Sequence, residues 1–281
     1  GIREQPRSRG LGDVYKRQDD HCLNIMPLFH IHGLIAVLSA SAKVGASVCA
    51  SNGFNALKFL ETANKETITW YSGVPTMHQA ILMRAKKNPK LAEELALRFI
   101  RSSSASLPPA VFDELKKIFK TTVIEAYGMT EATHQMTSNP LPPKKQKAGF
   151  VGIPAGPEVA IMDDNYKIMK IGEVGEICIK GNNVTSGYEN NTEANKTNFS
   201  NGWFRTGDQG FFDEDGYLKI SGRLKEIINK GGEKISPLEV DNVLMDHPSI
   251  EQAVCFGFED KMLGEAVSYT HLRAHETEAD L

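Results

Sequence analysis

The first half of the chain alternates β-branched, apolar runs with segments of helical periodicity. The strand-like runs are "TITWYSG" (67–73), "LRFIRSSSASL" (97–107) and "TTVIEAYG" (121–128), and apolar residues at helical spacing separate them. Because a helix commonly joins two parallel neighbouring strands, this alternation predicts an α/β fold with a largely parallel sheet covered by helices.

The predicted helices have recognisable beginnings. One predicted helix spans residues 54–64. Two others begin at Pro75 and at Pro108 and Pro109, because proline fits the first helical turn. The last of these has an apolar face made of Val111, Phe112, Leu115, Ile118 and Phe119. Upstream, "HIHGLIAVLSASAKVGASVCA" predicts a helix, a glycine turn and a strand. Ser106 is a candidate cap for the helix at Pro108.

From about Gly149 the pattern changes to short strands separated by Gly, Asp and Asn turns, which predicts a β-rich subdomain. The segment 211–220 predicts a hairpin that turns at Asp-Glu-Asp-Gly. Ser236 to Glu239 form a capping box that opens a helix, and "IEQAVCFGF" then predicts a strand. A domain boundary is expected near Gly222, between a large domain (19–221) and the beginning of a smaller α+β domain (222–267).

The two ends of the chain show neither a helical nor a strand period. Residues 1–18 and 268–281 resemble translated sequencing-adapter sequence, as found at the edges of assembled environmental reads, so we expect both to be non-native. An ordinary disordered terminus is the alternative. The native part is therefore expected to be a fragment that covers roughly 19–267.

Composition excludes several classes of function. The formal net charge of −3 and the pI of about 6.3 do not favour nucleic acid or an anionic membrane as a partner. The four cysteines show no zinc-binding spacing and are consistent with a reducing compartment. No apolar run reaches the length of a membrane span, so no integral membrane segment is expected.

Four stretches together carry a family resemblance: "MPLFHIHG" (26–33), "SSSASL" (102–107), "EAYGMTEATH" (125–134) and residues 202–241, which contain "RTGDQG" and "GRLKEIINKGGEKISPLEVD". In order and spacing they resemble the adenylate-forming (AMP-binding) superfamily of acyl-CoA synthetases, luciferases and peptide-synthetase adenylation domains. The greatest similarity is to the oxalate–CoA ligase branch of peroxisomal-synthetase type. The resemblance covers essentially all of 19–267.

The resemblance implies a large AMP-binding domain followed by a small mobile C-terminal domain. It also implies a ligase that uses ATP, Mg²⁺ and CoA. A carboxylate attacks the α-phosphate of ATP, an acyl-adenylate and pyrophosphate form, and a thiol then displaces AMP.

The resemblance assigns catalytic roles to Thr130, Glu131, His30 and Lys225. Thr130 offers a hydroxyl to phosphate, and Glu131 offers a hard oxygen ligand to Mg²⁺. Tyr127 offers a flat face to adenine. The implied nucleotide-binding residues are Ser104, Ala105, Ser106, Glu125, Ala126, Tyr127, Gly128, Thr130, Asp208 and Arg223.

The resemblance also covers two nucleotide anchors and two parts of the mobile domain. Asp208 can accept hydrogen bonds from both ribose hydroxyls, and Arg223 resembles a second nucleotide anchor. Lys225 matches the hinge about which the C-terminal domain rotates. The segment Lys230, Gly231, Gly232 and Glu233 resembles the glycine loop that approaches the acyl group during thioester formation, and a simple hairpin turn is compatible with that role.

A polar acid-binding pocket is expected from His30, His32, Ser102, Ser104 and His134. Several donors suit a small dianion such as oxalate, whereas a fatty acid would require an apolar channel. A metal site at His30-x-His32 is disfavoured, because no carboxylate or cysteine stands nearby at ligand spacing.

Several alternatives remain open. The alternative substrates are a short- or medium-chain fatty acid and an aryl acid, and a non-catalytic nucleotide-binding relative is the alternative outside enzymes. The family's phosphate loop and adenylation lysine are expected to lie outside this sequence, so we expect the 281-residue chain alone to be inactive. A cytoplasmic or peroxisomal location fits the family.

Overall fold

The computed structural model describes residues 17–247 and 249–273. These residues form two compact units. The first contains residues 17–159, 179–204 and 215–218, and the second contains residues 160–178, 205–214, 219–247 and 249–273. The domain boundary that the sequence predicts near Gly222 stays a prediction. The proposed N-terminal tail lies outside the described residues except for residues 17 and 18.

A seven-stranded sheet forms the frame of the first unit. Its strands are β1 (His21–Asn24), β2 (Ser47–Ala50), β3 (Trp70–Gly73), β4 (Phe99–Ser102), β5 (Thr122–Met129), β6 (His134–Ser138) and β7 (Ile153–Pro154). The order across the sheet is β2-β1-β3-β4-β5-β6-β7. The first five strands are parallel, as predicted, whereas β6 pairs antiparallel with both β5 and β7.

Helices of the first unit begin close to the predicted positions. They are a π-helical segment (His32–Ser39), α1 (Ala40–Val44), α2 (Ala56–Lys65), α3 (Pro75–Lys87), α4 (Pro89–Glu93), α5 (Pro109–Phe119), a 3₁₀ turn (Thr130–Ala132) and α6 (Thr192–Asn198). Asn55 caps α2 by accepting a hydrogen bond from the Lys58 amide at 3.1 Å. The predicted Ser106 cap is wrong: Pro108 occupies the cap position, and Ser106 lies two residues too early to reach the first amides.

Both faces of the parallel strands are covered, because successive strand residues point to opposite sides. On one face Leu23, Tyr71, Ile100 and Val123 pack with the buried faces of α2, α3 and α5. On the other face Cys22, Trp70, Phe99 and Ile124 pack with Val37 of the π-helical segment. Ser72 and Arg101 each lie two residues after a member of this second cluster, so they share its face of the sheet.

A second sheet follows in the β-rich part of the chain. Its strands are β8 (Glu158–Met162), β9 (Gly175–Lys180), β10 (Phe199–Ser200), β11 (Trp203–Phe212) and β12 (Leu218–Arg223). The order is β10-β11-β9-β8, and β12 pairs with β11. The hairpin predicted at 211–220 is therefore confirmed, with Gly216 in its turn at a φ of +77°.

The second unit also contains a four-stranded sheet. Its strands are β13 (Ile228–Lys230), β14 (Glu233–Ile235), β15 (Ile250–Asp260) and β16 (Gly264–Arg273), in the order β14-β13-β16-β15. Helix α7 (Pro237–Met245) lies between β14 and β15 in the chain. Ser236 caps it by accepting from the Glu239 amide, which confirms the predicted capping position.

Residues 268–273, whose sequence shows no strand period, nevertheless form regular structure. These residues continue β16, where Ser268 pairs with Phe256 and Tyr269 with Cys255. Pairing with a long neighbouring strand overrides the weak alternation of this segment. Its origin stays a prediction, and residues 274–281 lie outside the described part. None of the helices in the described residues combines the length and the apolar character of a membrane-spanning segment.

Candidate active site

Polar residues lie at the carboxyl ends of parallel strands in the first unit. The β3–β4 register places Ser72 beside Arg101, and the β4–β5 register places Ser102 beside Glu125. Ligands of open α/β sheets bind outside this edge. The strand pattern read from the sequence therefore predicts a ligand site at the carboxyl edge of this sheet.

A group of five side chains, which we call the His32 cluster, lies at this edge: His32, Ser72, Arg101, Ser104 and His134. The ring of His32 is fully buried. Its Nε2 lies 2.6 Å from Ser72 Oγ, and its Nδ1 lies 3.0 Å from Ser104 Oγ. The ring centroids of His32 and His134 are 5.6 Å apart. Three of the five residues predicted for the acid pocket, His32, Ser104 and His134, are thus brought together.

Close backbone approaches at Gly33 and Gly128 fix the positions of His32 and His134. A Cβ at Gly33 would come within 2.4 Å of the Pro27 carbonyl oxygen, so glycine is required where the π-helical segment begins. A Cβ at Gly128 would overlap the His134 carbonyl oxygen. The pairing of β5 with β6 also shifts register at Gly128, and His134 has a φ of +82°. The site therefore depends on local backbone strain as well as on side chains.

Arg101 belongs to the cluster although the sequence reasoning did not select it. The side chain is fully buried. Its Nη1 lies 3.2 Å from Ser72 Oγ and 3.4 Å from His32 Nε2. Its Nε and Nη2 have no hydrogen-bond partner among the described residues. A charged residue inside the apolar run "FIRS" was the signal that could have identified it.

Two predicted pocket residues do not join the His32 cluster. His30 is exposed, and its Nδ1 accepts a hydrogen bond from the His32 amide at 3.1 Å, so it supports the backbone turn. Ser102 is buried, but its Oγ has no partner within the described residues. Because strand neighbours point to opposite faces, Ser102 is directed away from the face that Arg101 occupies.

Glu131 lies in the 3₁₀ turn that follows β5, next to the exposed Thr130. Its Oε1 accepts a hydrogen bond from the Tyr188 hydroxyl at 2.8 Å. Its carbonyl oxygen accepts from the Thr185 amide at 2.7 Å. Partial burial, together with the Glu131 carboxylate, raises the pKa of Tyr188 to about 12, so the phenol keeps its proton and acts as the donor. Sequence reasoning missed Tyr188, which lies in a polar loop.

Tyr127 and Glu125 are both buried in β5. Glu125 Oε1 accepts a hydrogen bond from the Gly149 amide at 2.9 Å. Burial raises the pKa of Glu125 to about 8, against the opposing effect of amide donors at Gly149 and Leu107. The Ala126 carbonyl accepts from Ser103 Oγ at 2.7 Å, which ties the strand to the serine-rich loop. In that loop Ser104 has a φ of +74°, and Ala105 and Ser106 are exposed.

Asp208 and Arg223 are joined within the second unit. Arg223 Nε donates to Asp208 Oδ1 at 2.7 Å, and the Asp208 amide donates to Thr206 Oγ1 at 3.1 Å. The Asp208 side chain is nearly buried, whereas that of Arg223 is half exposed. Lys225 follows in the exposed turn after β12.

The predicted glycine loop is a tight hairpin between β13 and β14. Gly231 and Gly232 have φ values of +60° and +94°, and Lys230 pairs with Glu233 across the turn. All four residues are exposed. The hairpin is thus confirmed, and the role of the loop stays a prediction. Within the described ranges, no group of three His, Cys, Asp or Glu residues could by itself hold a metal ion.

Residues 6–189 match the family described as AMP-binding enzyme. The chain belongs to the AMP-binding enzyme family. The match begins inside the segment 1–18 that we expect to be non-native, and the origin of that segment stays a prediction. The family membership confirms the resemblance read from the sequence.

Relatives within this AMP-binding family are named as oxalate ligases. The oxalate–CoA ligase of Arabidopsis thaliana is 51% identical over 259 residues, which cover 91% of this chain and 50% of that protein. The oxalate–CoA ligase of Saccharomyces cerevisiae is 50% identical over 250 residues, which cover 88% of this chain and 45% of that protein. The chain thus spans about half the length of the curated relatives it matches.

Solved structures of AMP-binding enzymes share the fold. The o-succinylbenzoate CoA synthetase of Bacillus subtilis, solved with ATP and magnesium, has a TM-score of 0.80 and 32% identity, covering 94% of this chain and 54% of that chain. The same enzyme solved with its acyl-adenylate has a TM-score of 0.81 and 32% identity, covering 96% of this chain and 54% of that chain. The α/β fold class is therefore confirmed.

Proposed function

We propose that the protein containing this chain is an AMP-forming acid–CoA ligase whose acid substrate is oxalate. The observation that carries the proposal is the His32 cluster, in which histidine, serine and arginine side chains meet at the carboxyl edge of the sheet. A small dianion requires several donors, whereas a fatty acid requires an apolar lining. The two oxalate–CoA ligases of similar sequence support the same choice.

ATP would bind to residues of the family motifs. In the first unit, Tyr127 and the segment from Ser104 to Ser106 would contact adenine, and Thr130 would bind phosphate. In the second unit, Asp208 would accept hydrogen bonds from ribose hydroxyls, with Arg223 holding its carboxylate. A carboxylate can accept both hydroxyls at once, which suits this assignment.

Glu131 fits a magnesium ligand. One of its oxygens is occupied by Tyr188, and the other has no donor among the described residues, which leaves it available to a cation. Mg²⁺ retains most of its waters and takes one or two carboxylates together with substrate phosphates, so a single glutamate is sufficient. The ion would supply charge neutralisation at the phosphates.

CoA would act in the second half-reaction. Lys225 is placed in an exposed turn, as a hinge residue requires, and the Lys230–Glu233 hairpin has the two positive-φ glycines that permit close backbone approach to an acyl group. Family membership favours a cytoplasmic or peroxisomal location for such an enzyme.

The decisive test is acid-dependent release of AMP by the product of the complete reading frame that contains these residues. Oxalate, octanoate and coumarate are compared with ATP, Mg²⁺ and CoA in excess. We expect oxalate to give a kcat/KM at least 100-fold above the other two acids. A preference for octanoate or coumarate would leave the family intact and overturn the acid assignment. Binding of ATP without AMP release for any acid would favour a non-catalytic nucleotide-binding relative.

A further inference from the structure

Arg101 carries a buried positive charge that the described protein does not neutralise. The side chain is fully buried, and its Nη1 lies within hydrogen-bond distance of Ser72 Oγ and the ring of His32. No ion pair joins it to a carboxylate of the described residues, and two of its three guanidinium nitrogens have no hydrogen-bond partner there. Burying an unpaired charge is costly, and an anionic ligand bound close to this group would lower that cost.

Arg101 contrasts with Arg98, three residues earlier in the chain. Arg98 has a partner: its Nε donates to Asp20 Oδ1 at 2.8 Å. Arg98 is therefore held by an ion pair with a carboxylate of the same unit. Arg101 lacks that pairing and lies instead against the residues that the sequence assigns to the acid pocket.

The His32 cluster runs from Arg101 to Ser104, and arginine can only donate. Arg101 Nη1 donates to Ser72 Oγ at 3.2 Å and lies 3.4 Å from His32 Nε2. Ser72 Oγ lies 2.6 Å from the same Nε2, and it donates to the Arg101 carbonyl oxygen at 3.3 Å. On the other side of the ring, Nδ1 lies 3.0 Å from Ser104 Oγ.

Ser104 is the outer end of this chain of hydrogen bonds. Its hydroxyl lies 3.0 Å from His32 Nδ1, and the residue is exposed, so the hydroxyl is accessible to a ligand. A positive φ of +74° holds it in this position. Hydrogen bonds in series polarise one another, and a cation at the inner end strengthens the donor at the outer end.

We propose, resting on the ligase function above, that Arg101 is the residue that selects acids with a second carboxylate. The buried guanidinium acts through His32 and Ser72 on Ser104, whose hydroxyl donates to the carboxylate that is not being activated. Arg101 is thus a positioning and specificity residue, and Ser104 is the one that contacts substrate. A monocarboxylic acid of equal size gains nothing from this charge, because its far end is neutral.

The test compares oxalate with glyoxylate, which replaces one carboxylate by an aldehyde at nearly the same size. The enzyme is the product of the complete reading frame, and the variants are Arg101→Met, Arg101→Lys and Ser104→Ala. We expect Arg101→Met to lower the oxalate-to-glyoxylate ratio of kcat/KM about 30-fold, the order expected for a buried unit charge acting across two hydrogen bonds. Ser104→Ala should lower the ratio about 10-fold, and Arg101→Lys should lower it less than 5-fold.

Lys86→Met is the matched control, because it removes one positive charge from an exposed ion pair with Glu114 on the helical surface. It should leave the ratio unchanged. The KM for ATP should change less than twofold in the Arg101 and Lys86 variants. Equal loss of activity with both acids, or a raised KM for ATP at an unchanged ratio, would overturn the proposal.

Folding and function are separated by a second measurement. Ligand binding to the native state raises the melting temperature, so oxalate should stabilise the wild-type protein and the Lys86→Met variant but not Arg101→Met. If Arg101→Met does not fold, an unchanged acid ratio in Ser104→Ala overturns the proposal. If no acid supports AMP release, the ligase assignment fails. The melting temperature then still tests the cluster: loss of oxalate-induced stabilisation in Ser104→Ala supports binding of a dianion there, and unchanged stabilisation contradicts it.

Discussion

The Tyr188 hydroxyl donates a hydrogen bond to the Glu131 carboxylate at 2.8 Å. Tyr188 lies 57 residues after Glu131 in the chain. Its ring packs edge-on against Phe199 and Phe204, which fixes the direction of the hydroxyl. The proposed magnesium ligand is therefore oriented by a residue outside the family motif.

Replacing Tyr188 by Phe should weaken the response to magnesium. Partners that orient a metal-binding carboxylate commonly contribute 10- to 100-fold to metal affinity. We expect the Mg²⁺ concentration for half-maximal AMP formation to rise about 10-fold in Tyr188→Phe, with little change in the KM for the acid. Tyr217→Phe is the control, because that hydroxyl donates to the Lys145 carbonyl. An unchanged Mg²⁺ requirement would remove Tyr188 from the site.

Asp208→Asn should weaken ATP binding. The neutral amide retains the shape of the side chain, but it cannot accept hydrogen bonds from two ribose hydroxyls as a carboxylate does. Hydrogen bonds to charged groups contribute about 1.5–3 kcal/mol, so the KM for ATP should rise roughly 10- to 100-fold. Asp215→Asn removes a largely exposed carboxylate as a control. A KM for ATP equal to that of the control would contradict the ribose assignment.

Glu125 should make the protein less stable as the pH rises. Its folded pKa is about 8 because of burial, whereas the ordinary value is 4.5. Between these values the native state holds a proton that the unfolded state has released, so the free energy of unfolding falls with pH by up to about 1.4 kcal/mol per unit. Below pH 4.5 both states are protonated, and this dependence vanishes.

The Glu125→Gln variant should lose this fall in stability between pH 4.5 and 8. Urea unfolding measured at pH 5 and at pH 8 compares it with the wild type and with Glu94→Gln, which removes an exposed carboxyl group. Glu94→Gln should retain the wild-type pH dependence. If Glu125→Gln retains it as well, Glu125 is ionised in the folded protein.

The ion pair between Asp20 and Arg98 should contribute to stability. Asp20 is almost fully buried and also accepts from the Arg17 amide at 2.7 Å. Asp20→Ala leaves a cation that is only partly exposed, so we expect the free energy of unfolding to fall by about 2–3 kcal/mol. Glu93→Ala breaks the exposed pair with Lys120 and should cost under about 1 kcal/mol. Equal effects of the two changes would contradict this difference.

The sequence predicted the features that depend on local patterns. Helix α5 follows from the apolar spacing of Phe112, Leu115 and Phe119, and the cap of α7 follows from Ser236. The parallel order of β1 to β5 follows from the alternation of strands and helices. In the candidate site, His32, Ser104 and His134 were predicted together because the family motifs place them there.

Other features depend on contacts that are distant in the chain. Tyr188 reaches Glu131 from a polar loop with no periodic pattern, and Arg101 was hidden in an apolar strand. Residues 268–273 form part of β16 only because β15 offers a long edge for pairing. The Ser106 cap failed because proline already occupied the cap position. Long-range pairing and burial decided the first three cases, and local chain geometry decided the cap.

Identification of the products formed from oxalate, ATP, Mg²⁺ and CoA is the most direct test of the central claim. The product of the complete reading frame is incubated with all four, and the nucleotide and thioester products are identified by mass spectrometry. We expect oxalyl-CoA and AMP in equal amounts, with both absent when oxalate is omitted. Formation of ADP in place of AMP, or of no oxalyl-CoA while another acid is converted, would contradict an AMP-forming oxalate–CoA ligase.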